Sequence, residues 1–236
     1  VASKSSDRQT ILITGATGFV GVGLAAYFSG QGARVLLCGR SEERLRELLA
    51  RTKSVAAYAA DLCDADSLVR LAAQLQAEGR TPDIVINNAA DVTSLPLLES
   101  SLEDIDRIIR TNVIGTLQLC RLIVPAMIAE GGGSLVTISS LAGYKPNPTQ
   151  TVYGVSKAAL NAMSEALRAE LSGRGIHVLN VAMMSVGEGK GRIPVEVVGR
   201  RIEDAIERKR PELFFYARTK WLMRLYGMFP GLMRPR

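Results

Sequence analysis

Histidine occurs once in the 236 residues, at His177, and cysteine three times, at Cys38, Cys63 and Cys120, far apart and each in an apolar stretch. With no Cys-x-x-Cys pair, neither a disulfide framework nor a zinc site is suggested; no metal is expected, and a reducing compartment fits. His177 lies on a predicted strand away from the motif residues below, so its expected role is structural. No apolar run approaches the roughly 18 residues that span a bilayer, and no signal peptide opens the chain, so a cytoplasmic protein is expected. Surplus charge is missing from most of the length. Residues 190–236 hold twelve of the 29 Lys and Arg against five of the 23 Asp and Glu, which leaves residues 1–189 nearly neutral. A uniformly basic surface would point to nucleic acid; a basic end on a neutral body points to a local surface, with single-stranded nucleic acid as an alternative only. The 47% hydrophobic content suits one globular domain over residues 1–236, ending in a basic amphipathic tail at 218–236.

Strand and helix patterns alternate along the chain. Strands are expected at Thr10–Thr14, Arg34–Cys38, Val55–Ala59, Asp83–Ile86, Gly133–Ile138, Ile176–Val181 and Glu212–Tyr216. Helical stretches are expected at Gly21–Gly30, after Ser41, at Asp64–Glu78, from near Ser101, and at Thr151–Leu171 and Val195–Lys209. Parallel strands need long crossovers, so this order predicts an α/β fold: a doubly wound parallel sheet of about seven strands with helices on both faces.

Thr14-Gly15-Ala16-Thr17-Gly18-Phe19-Val20-Gly21 falls between the first strand and the first helix. Glycines there let the backbone approach a pyrophosphate, and the helix start favours an anion. A plain tight turn is the alternative. The second strand ends in Gly39-Arg40-Ser41, with no carboxylate between Gly32 and Ser41 to hold two ribose hydroxyls. Arg40 therefore predicts NADP(H), through charge-assisted bonds to the extra phosphate, unless it merely opens a solvated helix.

Tyr153 and Lys157, four apart in a predicted helix, share one face. A neighbouring ammonium would lower a phenol pKa from about 10 towards the range acid–base chemistry needs. Val136-Thr137-Ile138-Ser139-Ser140 runs from a buried strand into hydroxyl residues at the sheet edge where ligands bind. With these stand Asp61 after the third strand, Asn87-Asn88-Ala89-Ala90 after the fourth, Thr111-Asn112-Val113 in the next helix, and Tyr153-Gly154-Val155-Ser156-Lys157. In order and spacing the chain resembles the short-chain dehydrogenases/reductases over nearly its full length.

The resemblance implies a Rossmann-like domain and an oxidoreductase acting on a carbonyl or alcohol, usually as a homodimer or homotetramer. It implies catalytic roles for Asn112, Ser140, Tyr153 and Lys157. Tyr153 would exchange the proton, Lys157 would lower its pKa and bond the nicotinamide ribose, Ser140 would hold the substrate oxygen, and Asn112 would position a water. On the cofactor side it implies Gly15, Thr17, Gly18, Phe19 and Val20 at the turn. Arg40, Ser41, Asp61, Leu62, Asn88 and Ala89 would follow, joined by Tyr153 and Lys157.

Two departures stand out. Phe19 occupies the place of the middle glycine usual in shorter members, and Gly15, Gly18 and Gly21 instead match the extended members. After the sixth strand the usual Pro-Gly is replaced by Met183-Met184-Ser185-Val186-Gly187, with few residues before the next helix. A longer covering segment with additional residues between Met184 and Gly189 is one expectation there. Tyr144 and the turn from Pro146 to Pro148 are placed to border a substrate. Trp221, Leu222, Leu225 and Phe229, interleaved with Lys220, Arg224 and Arg234, suit a membrane surface, and with it a long-chain keto substrate, or packing on the body or a second subunit. A non-catalytic dinucleotide-binding regulator is the competing function.

Overall fold

The computed structural model describes residues 9–145 and 147–228, so Pro146 and the end of the tail, with Phe229 and Arg234, lie outside the described residues. Among these residues seven strands form one parallel sheet in the order β3-β2-β1-β4-β5-β6-β7. They are β1 (Thr10–Ile13), β2 (Arg34–Gly39), β3 (Ala56–Ala59), β4 (Ile84–Asn87), β5 (Gly133–Ser140), β6 (Ile176–Met183) and β7 (Glu212–Phe214). β1 and β4 are buried throughout, which is why each reads as an unbroken apolar run rather than an alternation.

The period of two along each strand feeds two separate cores. Ile11, Ile13, Val136 and Val181 pack with Leu24 and Phe28 of α1 (Phe19–Gly30) and with Val198 and Ile202 of α7 (Val195–Glu207). On the other face Leu12, Val85 and Leu135 meet Leu68 of α3 (Ala65–Ala77) and Leu119 and Met127 of α5 (Gly115–Ala129). Caps set the starts of the crossovers. The Ser41 hydroxyl accepts from Arg44 N in α2 (Glu42–Arg51), Asp64 caps α3, and Ser101 with Asp104 forms a capping box at α4 (Leu102–Ile109). α6 spans Thr151–Glu170 and α8 spans Ala217–Met228.

Several boundaries differ from the sequence reading. β5 and β6 run two residues further, because Ser139 pairs with Ala182 and Ser140 with Met183, and backbone pairing is indifferent to side-chain polarity. α1 begins at Phe19 rather than Gly21, with Gly18 as its N-cap. α4 joins α5 through a π-helical stretch, Arg110–Ile114. The helical run Leu102–Ala129 is long and apolar enough, by length and composition alone, to cross a membrane, which counting unbroken apolar residues did not register. In the fold it is a core helix, with Leu119, Ile123 and Met127 buried.

The connection from β6 to α7 folds back on itself. Val186 bridges Ile193, Gly187 N donates to Ile193 O at 2.9 Å, and Ile193 N donates to Ser185 O at 3.0 Å.

Candidate active site

The glycine turn is fixed from below. Thr14 N donates to Ile86 O at 3.1 Å, and the Thr14 hydroxyl accepts from Asn88 N and Ala89 N, both at 3.0 Å. The Asn88 amide donates back to Thr14 O and Gly15 O at 2.9 and 3.2 Å. The Asn88 side chain, whose backbone is expected along the adenosine side, thus also holds the turn, and Thr14 was missed as the other half of that clasp. Gly15 has φ +61, and a methyl group there would lie 2.7 Å from Ala89 Cα. A methyl on Gly21 would lie 2.2 Å from Gly15 O. At Gly18 the nearest atom to such a methyl is Gly15 O at 3.4 Å, so the outer face of the turn is open. Crowding inward and space outward at the start of a helix fit the pyrophosphate of a dinucleotide.

Around this turn the other expected residues fall as follows. Thr17 lies over the end of β2, its hydroxyl 3.5 Å from where a Gly39 methyl would be. Phe19 is 65% exposed, and Val20 is partly buried against the core. Arg40 leaves β2 exposed to solvent, beside Ser41, whose hydroxyl is engaged in capping α2. Asp61 accepts from Cys63 N at 2.9 Å. The Leu62 side chain is buried in the core, and its carbonyl is packed against Gly115.

The second half of the site converges on the same edge of the sheet. Ser140 ends β5, and its hydroxyl accepts from Ala142 N at 3.1 Å. Tyr153, in the first turn of α6, is half-buried; burial pushes its phenol above the ordinary value, while a hydrogen bond with Ser140 pulls it down. Lys157 is buried, its Nζ donates to Ile138 O at 2.9 Å, and it lies 5.6 Å from the Tyr153 ring centroid. Burial pushes the ammonium down to about 8. In this arrangement the ammonium bonds the Ile138 carbonyl, and desolvation prevails at both groups.

Asn112 sits in the π-helical stretch with no exposed surface. Its amide donates to Asp91 O at 3.0 Å and to Ser156 Oγ at 2.9 Å, and its carbonyl oxygen accepts from Asp91 N at 2.7 Å. Ser156 in turn donates to Tyr153 O at 2.7 Å. The side chain therefore ties the loop after β4 to α6. Asp91 was missed; its carboxylate pairs with Arg107 at 2.7 Å, and hydrogen bonds to Thr93 and Arg107 hold it below its ordinary value against the opposing effect of burial.

Tyr144 stands beside Phe214 at the β7 edge, ring centroids 5.2 Å apart, and its hydroxyl accepts from Asn180 at 3.0 Å. His177 is structural, its Nε2 2.8 Å from Arg210 O.

The model of the family described as short chain dehydrogenase matches residues 9–187. The chain is 32% identical over 180 residues to a 3-oxoacyl-(acyl-carrier-protein) reductase of Thermotoga maritima, covering 75% of this chain and 73% of that protein. It is 30% identical over 179 residues to an uncharacterized oxidoreductase of Staphylococcus epidermidis, covering 74% and 76%. Among solved structures it is similar to the bulky-bulky ketone specific alcohol dehydrogenase from Comamonas testosteroni, with TM-score 0.81, 27% identity, and coverage of 97% of this chain and 95% of that one.

Proposed function

The chain belongs to the short-chain dehydrogenase/reductase family and is an oxidoreductase, and from that premise we propose that it reduces a ketone or aldehyde, or oxidises a secondary alcohol, with NADP(H). The observation that carries the reading is the gathering of Ser140 at the end of β5 and of Tyr153 and the buried Lys157 one turn apart on α6, on the sheet edge shared with the glycine turn. When bound, the nicotinamide supplies or accepts the hydride. The protein's part is to hold the substrate oxygen between two hydroxyls and move one proton. A phenol raised by burial keeps its proton near neutrality, so Tyr153 is set up as the donor for carbonyl reduction. Oxidation needs the phenolate, and with it Lys157 turned from Ile138 O towards the phenolic oxygen.

NADP(H) is supported by Arg40, exposed directly after β2 with no carboxylate between Gly32 and Ser41 to favour NAD. The open face of Gly18 suits the pyrophosphate, and Asp61 the adenine side. Tyr144 with Phe214 gives an aromatic border suited to a hydrophobic ketone, and the Thermotoga and Comamonas relatives are named for acyl-keto and bulky ketone substrates. Leu98 at 99% and Leu102 at 80% exposure support a homo-oligomer. On α8, Trp221 is 72% exposed and Leu222 and Leu225 each 44%, which supports peripheral contact with a lipid surface.

The test is NADPH oxidation against short ketones, steroids, sugars and long-chain 3-keto lipids. Turnover is expected with hydrophobic ketones and is expected to fall at least about a hundredfold in Tyr153→Phe with NADPH binding retained. Unchanged turnover in that variant rules out the proton-transfer role, and binding without turnover across the panel favours a regulator.

A further inference from the structure

Resting on the dinucleotide reading above, we infer that Arg192 is a clamp for the cofactor's pyrophosphate, reaching over the glycine turn from the connection after β6. A methyl group built on Gly187 would lie 3.4 Å from the Arg192 guanidinium and 3.7 Å from the tip of the Phe19 ring, so both side chains border the same glycine. Phe19 is the first residue of α1, the helix whose start follows the open face of Gly18. The guanidinium therefore stands beside the place an anion would occupy. Gly187 has φ +137, a conformation that favours glycine, and this keeps the space between the two side chains clear.

The connection is held at a fixed reach. Val186 bridges Ile193, Arg192 N donates to Gly189 O at 3.2 Å, and a methyl on Gly23 would lie 2.2 Å from Val195, so the end of the connection is packed hard on α1. Arg192 is exposed and makes no ion pair among the described residues, and the first turn of α1 carries no acidic residue. An unopposed guanidinium next to a helix start is matched to a phosphate diester pair, which its planar donors bond two at a time. Arg40 and Arg192 then read different parts of one ligand: the first the 2′-phosphate, the second the pyrophosphate.

Calorimetric binding separates the two without any turnover. ADP-ribose carries the pyrophosphate and no 2′-phosphate; 2′-AMP carries the reverse. Arg192→Ala is expected to bind ADP-ribose about tenfold more weakly and 2′-AMP as wild type does, with Arg192→Lys intermediate and Arg40→Ala showing the opposite pattern. Because Arg192 is exposed, thermal midpoints are expected to stay unchanged and to verify folding. Wild-type affinity for ADP-ribose in Arg192→Ala, or an equal loss for both ligands, overturns the clamp while leaving the dinucleotide reading standing. If the wild-type protein itself fails to bind ADP-ribose, the dinucleotide reading falls and takes the clamp with it.

Discussion

Replacing Lys157 by methionine is expected to make the protein more stable near neutrality while removing its activity. Lys157 is 2% exposed and, among the described residues, its Nζ donates to Ile138 O alone, so the charged form is poorly solvated and the pKa falls from 10.5 to about 8. The unfolded chain keeps this proton up to about pH 10.5, whereas the folded chain releases it through about pH 8. Between those values the unfolded state binds more protons, so stability rises with pH across that window, and below it the whole penalty stands. The gap is worth about 3 kcal/mol. Losing the bond to Ile138 O returns roughly 1 kcal/mol, which leaves a gain of about 2 kcal/mol for Lys157→Met at pH 7. In urea that is a midpoint shift close to about 1 M. Unfolding both proteins from pH 7 to 10.5 isolates the effect, since every other titrating group is common to the pair. The gain should shrink steadily above pH 8. Equal midpoints at pH 7, or parallel pH profiles, would show that the buried ammonium costs nothing and that the reasoning is wrong.

Other outcomes follow from the same geometry. Arg40→Ala should weaken NADPH at least about tenfold while changing NADH little, measured by fluorescence titration; equal losses would remove Arg40 from the phosphate. Gly21→Ala, whose methyl meets Gly15 O at 2.2 Å, should destabilise by about 1–3 kcal/mol, whereas Gly18→Ala should fold normally and lose ADP-ribose affinity, read by thermal melts and calorimetry. A normal melt for Gly21→Ala would contradict the packing argument. Asn112→Ala leaves the Asp91 N–H and carbonyl without the partners Asn112 gives them and should cost about 2–4 kcal/mol in urea unfolding; a change under about 1 kcal/mol would mean the loop is held by other contacts.

Much of this site could be read from residue order. Tyr153 and Lys157 lie one turn apart on α6, and Ser140 terminates β5 at the same sheet edge, because periodicity and strand order are written in the apolar pattern. What spacing cannot carry is the choice among partners. Nothing in a Tyr-x-x-x-Lys spacing says whether Nζ will take the phenol or the Ile138 carbonyl, nor how far burial will raise the Tyr153 phenol. Ser139 and Ser140 extend β5 although they are polar, since their pairing with Ala182 and Met183 is a backbone matter. Arg192 and Phe19 are 192 − 19 = 173 positions apart, and only the fold brings Phe19 beside Gly187 and Arg192.

The π-helical stretch Arg110–Ile114 amounts to a one-residue surplus wound into an otherwise regular rod. Deleting Val113 would let the rod close up as ordinary α-helix, with Ile108 before it and Leu119 after it still pointing into the protein. The shortened chain should keep its core, yet turn the Asn112 amide away from Asp91 and Ser156 and lose activity with them. A scan of single-residue deletions along this rod would find tolerance of structure and intolerance of chemistry meeting at the same five positions.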